Sequence, residues 1–160
     1  MRLLLVCVGR LKAGLERDLA ARYIERAGVA GRALGFTSID LREIDESRAR
    51  RPEDRKSDEA KAIRAQVTTQ TKIVLFDERG TALKSKDFAT LLGSLRDEGH
   101  SAICLVIGGP DGLAPELRME AAACVAFGSM TWPHQLVRVM AAEQIYRAMT
   151  ILSGHPYHRE

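Results

Sequence analysis

The strongest constraint on the fold is a set of short apolar runs that do not alternate and that end in glycine or a turn. RLLLVCV (2–8) stops at Gly9, and AICLVI (102–107) breaks into the glycine turn GGPDG (108–112). A strand apolar on both faces has both faces covered, which suits a parallel sheet carrying helices on either side. FTSIDLREI (36–44), KIVLFD (72–77) and ACVAF (123–127) read as further strands, with ERGT (78–81) a turn after the third. Between them the period changes. Leu15, Leu19, Tyr23 and Ala27 recur every fourth residue, one face of a helix stopped by Gly28. Ser57 can cap a helix over 58–69 with Ala60, Ile63 and Val67 inward. Phe88, Leu91, Leu92 and Leu95 mark a helix over 86–97 that Gly99 ends. Pro115 opens a short helix, and a long one occupies 133–153. The alternation predicts an α/β layered fold, a mostly parallel sheet flanked by helices. No linker, repeat or low-complexity stretch divides the chain, so 1–160 is expected to form a single domain.

Composition matters here for what it excludes. No uninterrupted apolar run approaches ~20 residues, so no membrane span is expected. The opening MRLLLVCVGRLK has a short apolar core and no small-residue cleavage site, and reads as a first strand rather than a signal peptide. Cys7, Cys104 and Cys124 are odd in number and widely spaced in apolar runs, which predicts buried free thiols in a reducing cytoplasm. A net charge of +3 and a pI near 8.9 permit a polyanionic partner without demanding one. Residues 45–57, DESRARRPEDRKS, read as a solvated surface loop. Its cations Arg48, Arg50, Arg51, Arg55 and Lys56 suit phosphates, but Asp45, Glu46, Glu53 and Asp54 largely cancel them.

Groups able to do chemistry gather in the last third. GGPDG follows a strand, and open α/β sheets bind ligands beyond the carboxyl ends of their strands. Neither GxGxxG nor GxxxxGK[ST] is present, so dinucleotide and P-loop assignments lack their fingerprints. Together with the strand ends at Phe76-Asp77 and Phe127–Trp132, the turn can form a pocket rim holding an adenine through backbone groups. Periodicity alone favours core packing for Phe127, Met130 and Trp132. The final helix offers His134, Arg138, Glu143 and Arg147. Arg138 and Glu143 point in different directions, while Glu143 and Arg147, four apart, suggest an ion pair on an exposed face. The tail adds His155, Tyr157, His158 and Arg159. Its H-x-x-H has no partner Cys or Glu cluster, so no metal is expected, and no Ser–His–Asp or Cys–His arrangement follows from spacing.

VIGGPDGL, MTWPHQLVRV, AEQIYRA and GHPYHRE, in this order, resemble the small bacterial rRNA pseudouridine N3-methyltransferases, the RlmH family of the SPOUT class. VGRLK, SDEAKAI, FDERG and KSKDFATLL extend the resemblance over essentially the whole chain. It implies an α/β fold with a C-terminal deep trefoil knot, a rare exception to the rule against knotted chains. It also implies an S-adenosyl-L-methionine site at Phe76, Gly109, Phe127, Gly128, Ser129, Met130, Thr131 and Trp132. The expected partners are a second copy in a homodimer and 23S rRNA within the 70S ribosome, with no metal and no membrane. For the chemistry, Arg159 or Arg147 would stabilise charge on the base. His158, His134 or Glu143 would accept its proton, with His158 preferred, and Tyr157 would stack on it. Each of these fits substrate binding as well. Arg138 and Arg147 have a further reading, as residues holding the dimer or the tail. Thr81, Phe76 and Trp132 depart from the residues common in the family; backbone contacts should survive the latter two, while Trp132 can reshape the adenine pocket. A non-catalytic binder would show a degraded GGPDG or HPYHRE, which this chain does not. SPOUT enzymes acting on tRNA usually carry an extra RNA-binding domain, for which 160 residues leave no room.

Overall fold

A computed structural model describes residues 1–158. Five strands, β1 (Arg2–Val8), β2 (Ser38–Ile44), β3 (Thr71–Ala82), β4 (Ala102–Ile107) and β5 (Ala123–Ala126), form one sheet in the order β2-β1-β4-β3-β5. Every pairing is parallel. The helices are α1 (Leu15–Gly31), α2 (Pro52–Arg64), α3 (Ser85–Asp97), α4 (Pro115–Glu120) and α5 (His134–Leu152).

The apolar runs are continuous because the sheet is covered twice. Leu3, Leu5, Cys7, Val74, Phe76, Ile103, Leu105 and Ile107 face a core shared with α1, α3 and α5. Their neighbours Val6, Val8, Ile73, Leu75, Cys104 and Val106 face a second core under α2 and α4. A strand's period of two sends alternate side chains to opposite faces, so polar residues have no place in its interior. β1 and β4, with helices on both sides and strands on both edges, are the most completely buried. Cys7 and Cys104 lie there as free thiols, each pushed up to about 12 by burial; Cys124 is only half-buried.

Three boundaries differ from expectation. α1 runs through Gly28 to Gly31, followed by a 3-10 turn over Arg32–Leu34 that closes at Gly35 with φ 87°. Its inward face is Ala20, Ile24, Ala27 and Gly31, with Tyr23 packed at its margin; of the expected stripe, Leu15 stands 85% exposed and Leu19 is exposed as well. Small residues won because helix and sheet approach closely: a Cβ on Gly31 would lie 2.9 Å from Ile39 and 3.2 Å from Phe36. α2 begins at Pro52, inside the expected loop, and ends at Arg64. Proline at the first helical position loses no intrahelical bond, and Glu53 and Asp54 suit the positive end of the helix. Val67 falls beyond its end.

The third difference matters most for the site. ERGT is not a turn that ends β3, which continues to Ala82. Phe76 and Thr81 both pair with Val125, so Asp77–Gly80 bulge out of the ladder between them. Gly80 brings the strand back against β5, where a Cβ would lie 2.7 Å from the backbone of Cys124 and Val125.

Gly80→Ala should therefore destabilise the protein by about 1–3 kcal/mol, since the obstruction is backbone that cannot swing aside. Gly28→Ala, inside α1 with nothing within 4 Å of its added Cβ, should stabilise by about 0.5–1 kcal/mol. Denaturant unfolding of the two variants against wild type checks both signs.

Candidate functional site

At the bulge of β3 and the carboxyl ends of β4 and β5 lies a cavity of ≈ 280 Å³. Its apolar walls include Ile107, Leu113, Val125, Phe127 and Val137, and its rim is the backbone of the glycine turn and of the segment after β5. Phe76 and Phe127 stack at 4.9 Å and 15° and form one wall. A second cavity of ≈ 340 Å³ shares that stack, with Val125 and Gly128. Trp132 Nε1 donates back to the Phe127 carbonyl at 3.3 Å, closing the 127–132 segment into a compact loop. Gly112 (φ 82°) and Gly128 (φ 98°) turn the chain where any other residue would be strained, and a Cβ on either would project into open space. The cavity thus sets an apolar stack between two glycine-bearing rims, with Asp77, Asp111 and Arg118 also on its wall.

The glycine turn is fixed from below. A Cβ on Gly109 would lie 3.0 Å from Glu59 Oε2 and 3.1 Å from Val8, so the turn sits directly on α2 and β1. Glu59, 5% exposed, accepts the Ser47 N–H at 3.1 Å. Its burial, and then the nearby Asp111 and Glu46, raise its carboxyl above the usual range. Arg55 clasps Asp111 through Nε (2.6 Å) and Nη2 (3.0 Å) and also donates to the Ala49 and Arg50 carbonyls. The hydrogen bond from Arg55 holds the Asp111 carboxyl below the usual aspartate range, so this tie is present above that range and fades as pH falls through the lowered pKa. The 45–57 segment is therefore no free loop: α2 binds it to the cavity rim.

α5 is positioned by Arg138, which is 2% exposed. Nη1 donates to Glu43, and Nη2 donates to the carbonyls of Val8 (2.9 Å) and Gly9 (2.6 Å). Glu43 in turn accepts the Leu11 N–H at 2.7 Å. Arg138 thus pins α5 to the ends of β1 and β2, rather than holding the tail.

The far half of α5 carries a second cluster. Glu143 Oε1 accepts from Arg147 Nε (2.9 Å) and Nη2 (2.6 Å) and from the Tyr157 hydroxyl (3.2 Å), while Gln144 donates to Oε2 at 2.7 Å. The Glu143–Arg147 pair is half-buried, 18% and 25% exposed, because the tail folds over it. Tyr157 packs edge-on to Tyr146 at 4.7 Å, with the Arg147 guanidinium 4.9 Å from its ring. Arg26 of α1 donates to the Tyr146 hydroxyl at 2.8 Å and covers its ring. Burial first, then hydrogen bonding to Tyr23 and the charge of Glu143, push the Tyr157 phenol up to about 12. It stays protonated at neutral pH. His158 Nδ1 lies 3.4 Å from Arg147 Nη1.

Of the eight residues expected at the cofactor, Phe76, Gly109, Phe127, Gly128, Met130, Thr131 and Trp132 line the cavity; Ser129 is in the same loop but not on the wall. Periodicity suggested core packing for three residues of this segment: Phe127 does pack against the core, but Met130 is 70% and Trp132 38% exposed. Arg147, Tyr157 and His158 come together, and Arg159 lies outside the described residues. Gln144, which donates to Glu143, lines the second cavity and so stands between the two sets. Val137 on the cavity and Arg147 in the tail cluster are ten residues apart on α5, roughly 15 Å of helix rise. Sequence reading missed Arg118, which reaches the cavity from α4 to pair with Asp77; a lone cation in a six-residue helix carries no periodic signal. Among the described residues no group of acids, histidines and cysteines could hold a metal ion, and no helix is long and apolar enough to cross a membrane.

Comparison with known proteins places this geometry. The family model described as "Predicted SPOUT methyltransferase" matches residues 1–158. A protein of Beijerinckia indica named Ribosomal RNA large subunit methyltransferase H is 62% identical over 99% of each chain. One of the same name from Methylocella silvestris is 59% identical over 100% of each. Among solved structures, a probable methylase family protein from Haemophilus influenzae Rd KW20 superposes with a TM-score of 0.49 at 10% identity, over 99% of this chain and 70% of that one.

Arg138→Met should cost about 3–5 kcal/mol, since it strands the Glu43 carboxylate and two backbone carbonyls at the strand ends. Glu43→Gln, which keeps an acceptor for Arg138 and Leu11, should cost less. Unfolding midpoints rank the two.

Proposed function

The chain belongs to the SPOUT methyltransferases and is an S-adenosyl-L-methionine-dependent rRNA methyltransferase; we propose that its acceptor is N3 of a pseudouridine in 23S rRNA, reached on the assembled 70S ribosome. The observation that carries the reading is the cavity at the β3 bulge and the ends of β4 and β5. Its apolar stack set between two glycine-bearing rims fits an adenosyl group, and the open faces of Gly112 and Gly128 leave room for one. Phe76, Gly109 and the 127–132 loop hold the cofactor, which supplies an electrophilic methyl group on a sulfonium. The sheet order and the loop closed by Trp132 fit a trefoil knot in which the whole chain forms one domain. The protein works in the cytoplasm.

The chain's own contribution is orientation and charge. Holding base and cofactor in attack geometry supplies the larger part of the acceleration, up to about 7–11 kcal/mol in well-oriented cases. Methylation at N3 requires loss of its proton and leaves negative charge on the flanking carbonyl oxygens. Arg147, held by Glu143, and Arg159 answer that charge. Glu143 already accepts four hydrogen bonds, which leaves His158 the better proton acceptor of the pair. Tyr157, packed between Tyr146 and Arg147, orders the tail in this protomer and meets the base at its exposed edge.

The tail cluster centres on Arg147, some 15 Å of helix rise from Val137 on the cavity. In a homodimer one protomer's tail cluster completes the other's cofactor cavity, and the exposed start of α5, with Trp132 and Leu136, supplies apolar contact.

Labelled methyl from S-adenosyl-L-methionine should appear on 70S ribosomes and not on free 23S rRNA or tRNA, and Arg159→Ala should abolish it. Labelling of tRNA would overturn the substrate, and survival of activity in the variant would remove Arg159 from the chemistry. A Gly109→Val chain and an Arg147→Ala chain, each inactive alone, should regain activity when mixed after dissociation. Failure of mixed dimers to work would show that each protomer uses its own tail.

A further inference from the structure

The cavity wall holds one ion pair with no part in fixing the glycine turn. Arg118 Nε donates to Asp77 Oδ2 at 3.1 Å, and Nη2 donates to the same oxygen. Asp77 sits at the start of the β3 bulge with its side chain 5% exposed, and its other oxygen accepts the Arg79 N–H at 2.9 Å. The carboxylate is thus fixed by backbone on one side and fixes a guanidinium on the other. Arg118 remains 27% exposed toward the cavity. A guanidinium has five N–H donors, and those of Arg118 Nη1 make no hydrogen bond among the described residues. The other charged groups on the wall differ. Asp111 is held by Arg55, while Glu78, Arg79 and His134 project from exposed positions. Arg118 is the cation that meets a ligand already oriented.

We propose that Arg118, aimed by Asp77, receives the α-carboxylate of the cofactor's methionyl arm and so selects S-adenosyl-L-methionine over adenosyl compounds that lack it. This rests on the cavity being the cofactor site. A planar guanidinium edge matches a carboxylate in geometry and charge, and a hydrogen bond between ions is worth more than a neutral one. Asp77 compensates most of the cation's charge, so the wall does not repel the sulfonium beside it. Preorganisation limits the entropy lost on binding, because the side chain is already held.

Titration calorimetry with three ligands tests this: S-adenosyl-L-methionine, its decarboxylated analogue, and 5′-methylthioadenosine, which lacks the whole arm. Wild type should prefer the first over the second by about tenfold to a hundredfold, the worth of one charge-assisted contact. Arg118→Gln should bring that ratio to roughly one while leaving 5′-methylthioadenosine binding within about twofold. Arg118→Lys, which keeps the cation without the fork, should fall between, and it serves if the glutamine variant does not fold. A wild-type ratio retained in Arg118→Gln or in Arg118→Lys overturns the proposal. So does equal loss of all three ligands, which would make the pair only a strap between β3 and α4. A wild-type protein that binds none of the three ligands, or whose binding survives Gly109→Val, overturns the cavity as cofactor site instead.

Discussion

A buried guanidinium keeps the working parts of this molecule in register. Arg138 reaches from α5 into the gap where β1 and β2 end, and joins Glu43 and two backbone carbonyls there. Those carbonyls belong to the last residue of the strand and the glycine after it, where the sheet's own ladder has run out. Burying a charge so deeply is costly unless the partners are complete, and Nε has no partner among the described residues. The interaction is better understood as specifying a position than as adding stability. It fixes the rotation and height of α5, and with them His134 and Val137 on the cavity and Glu143 and Arg147 in the tail cluster.

The sheet was legible because its physics is local. Runs such as RLLLVCV and AICLVI admit few explanations besides strands covered on both faces, and β1 and β4 occupy those residues. Helices were harder to bound. The rule that glycine ends a helix holds at Gly99 (φ 81°) and at Gly35 (φ 87°), which closes the turn after α1, and fails at Gly28, where the helix runs on to pack Gly31 against Ile39 and Phe36. Arg138 and Glu143 were both visible as charges on the final helix. That one is buried in the sheet and the other gathers the tail depends on partners 95 and 14 residues away.

The candidate site was legible in its position and less so in its composition. Strand ends followed by glycine-rich turns marked the cavity, and seven of the eight expected residues line it. Met130 and Trp132 deceived periodicity because a loop has no period to read. Arg118 left no trace at all. The resemblance, for its part, named Tyr157 and His158, and only the fold shows Tyr157 bound to Glu143 beside Arg147, with His158 near it.

Asp77–Gly80 leave the ladder after Phe76 and rejoin it at Thr81, with Val125 as the partner on both sides of the gap. The strand's pairing is therefore the same whatever lies between those two points, provided Gly80 can still slip past the β5 backbone. Three successive residues on the rim are released from the alternation that governs the rest of β3. Of these, Asp77 is tied to Arg118 of α4, while Glu78 and Arg79 are exposed and carry no packing of the core. The rim of the cavity at Glu78 and Arg79 is in this sense detachable from the part that folds.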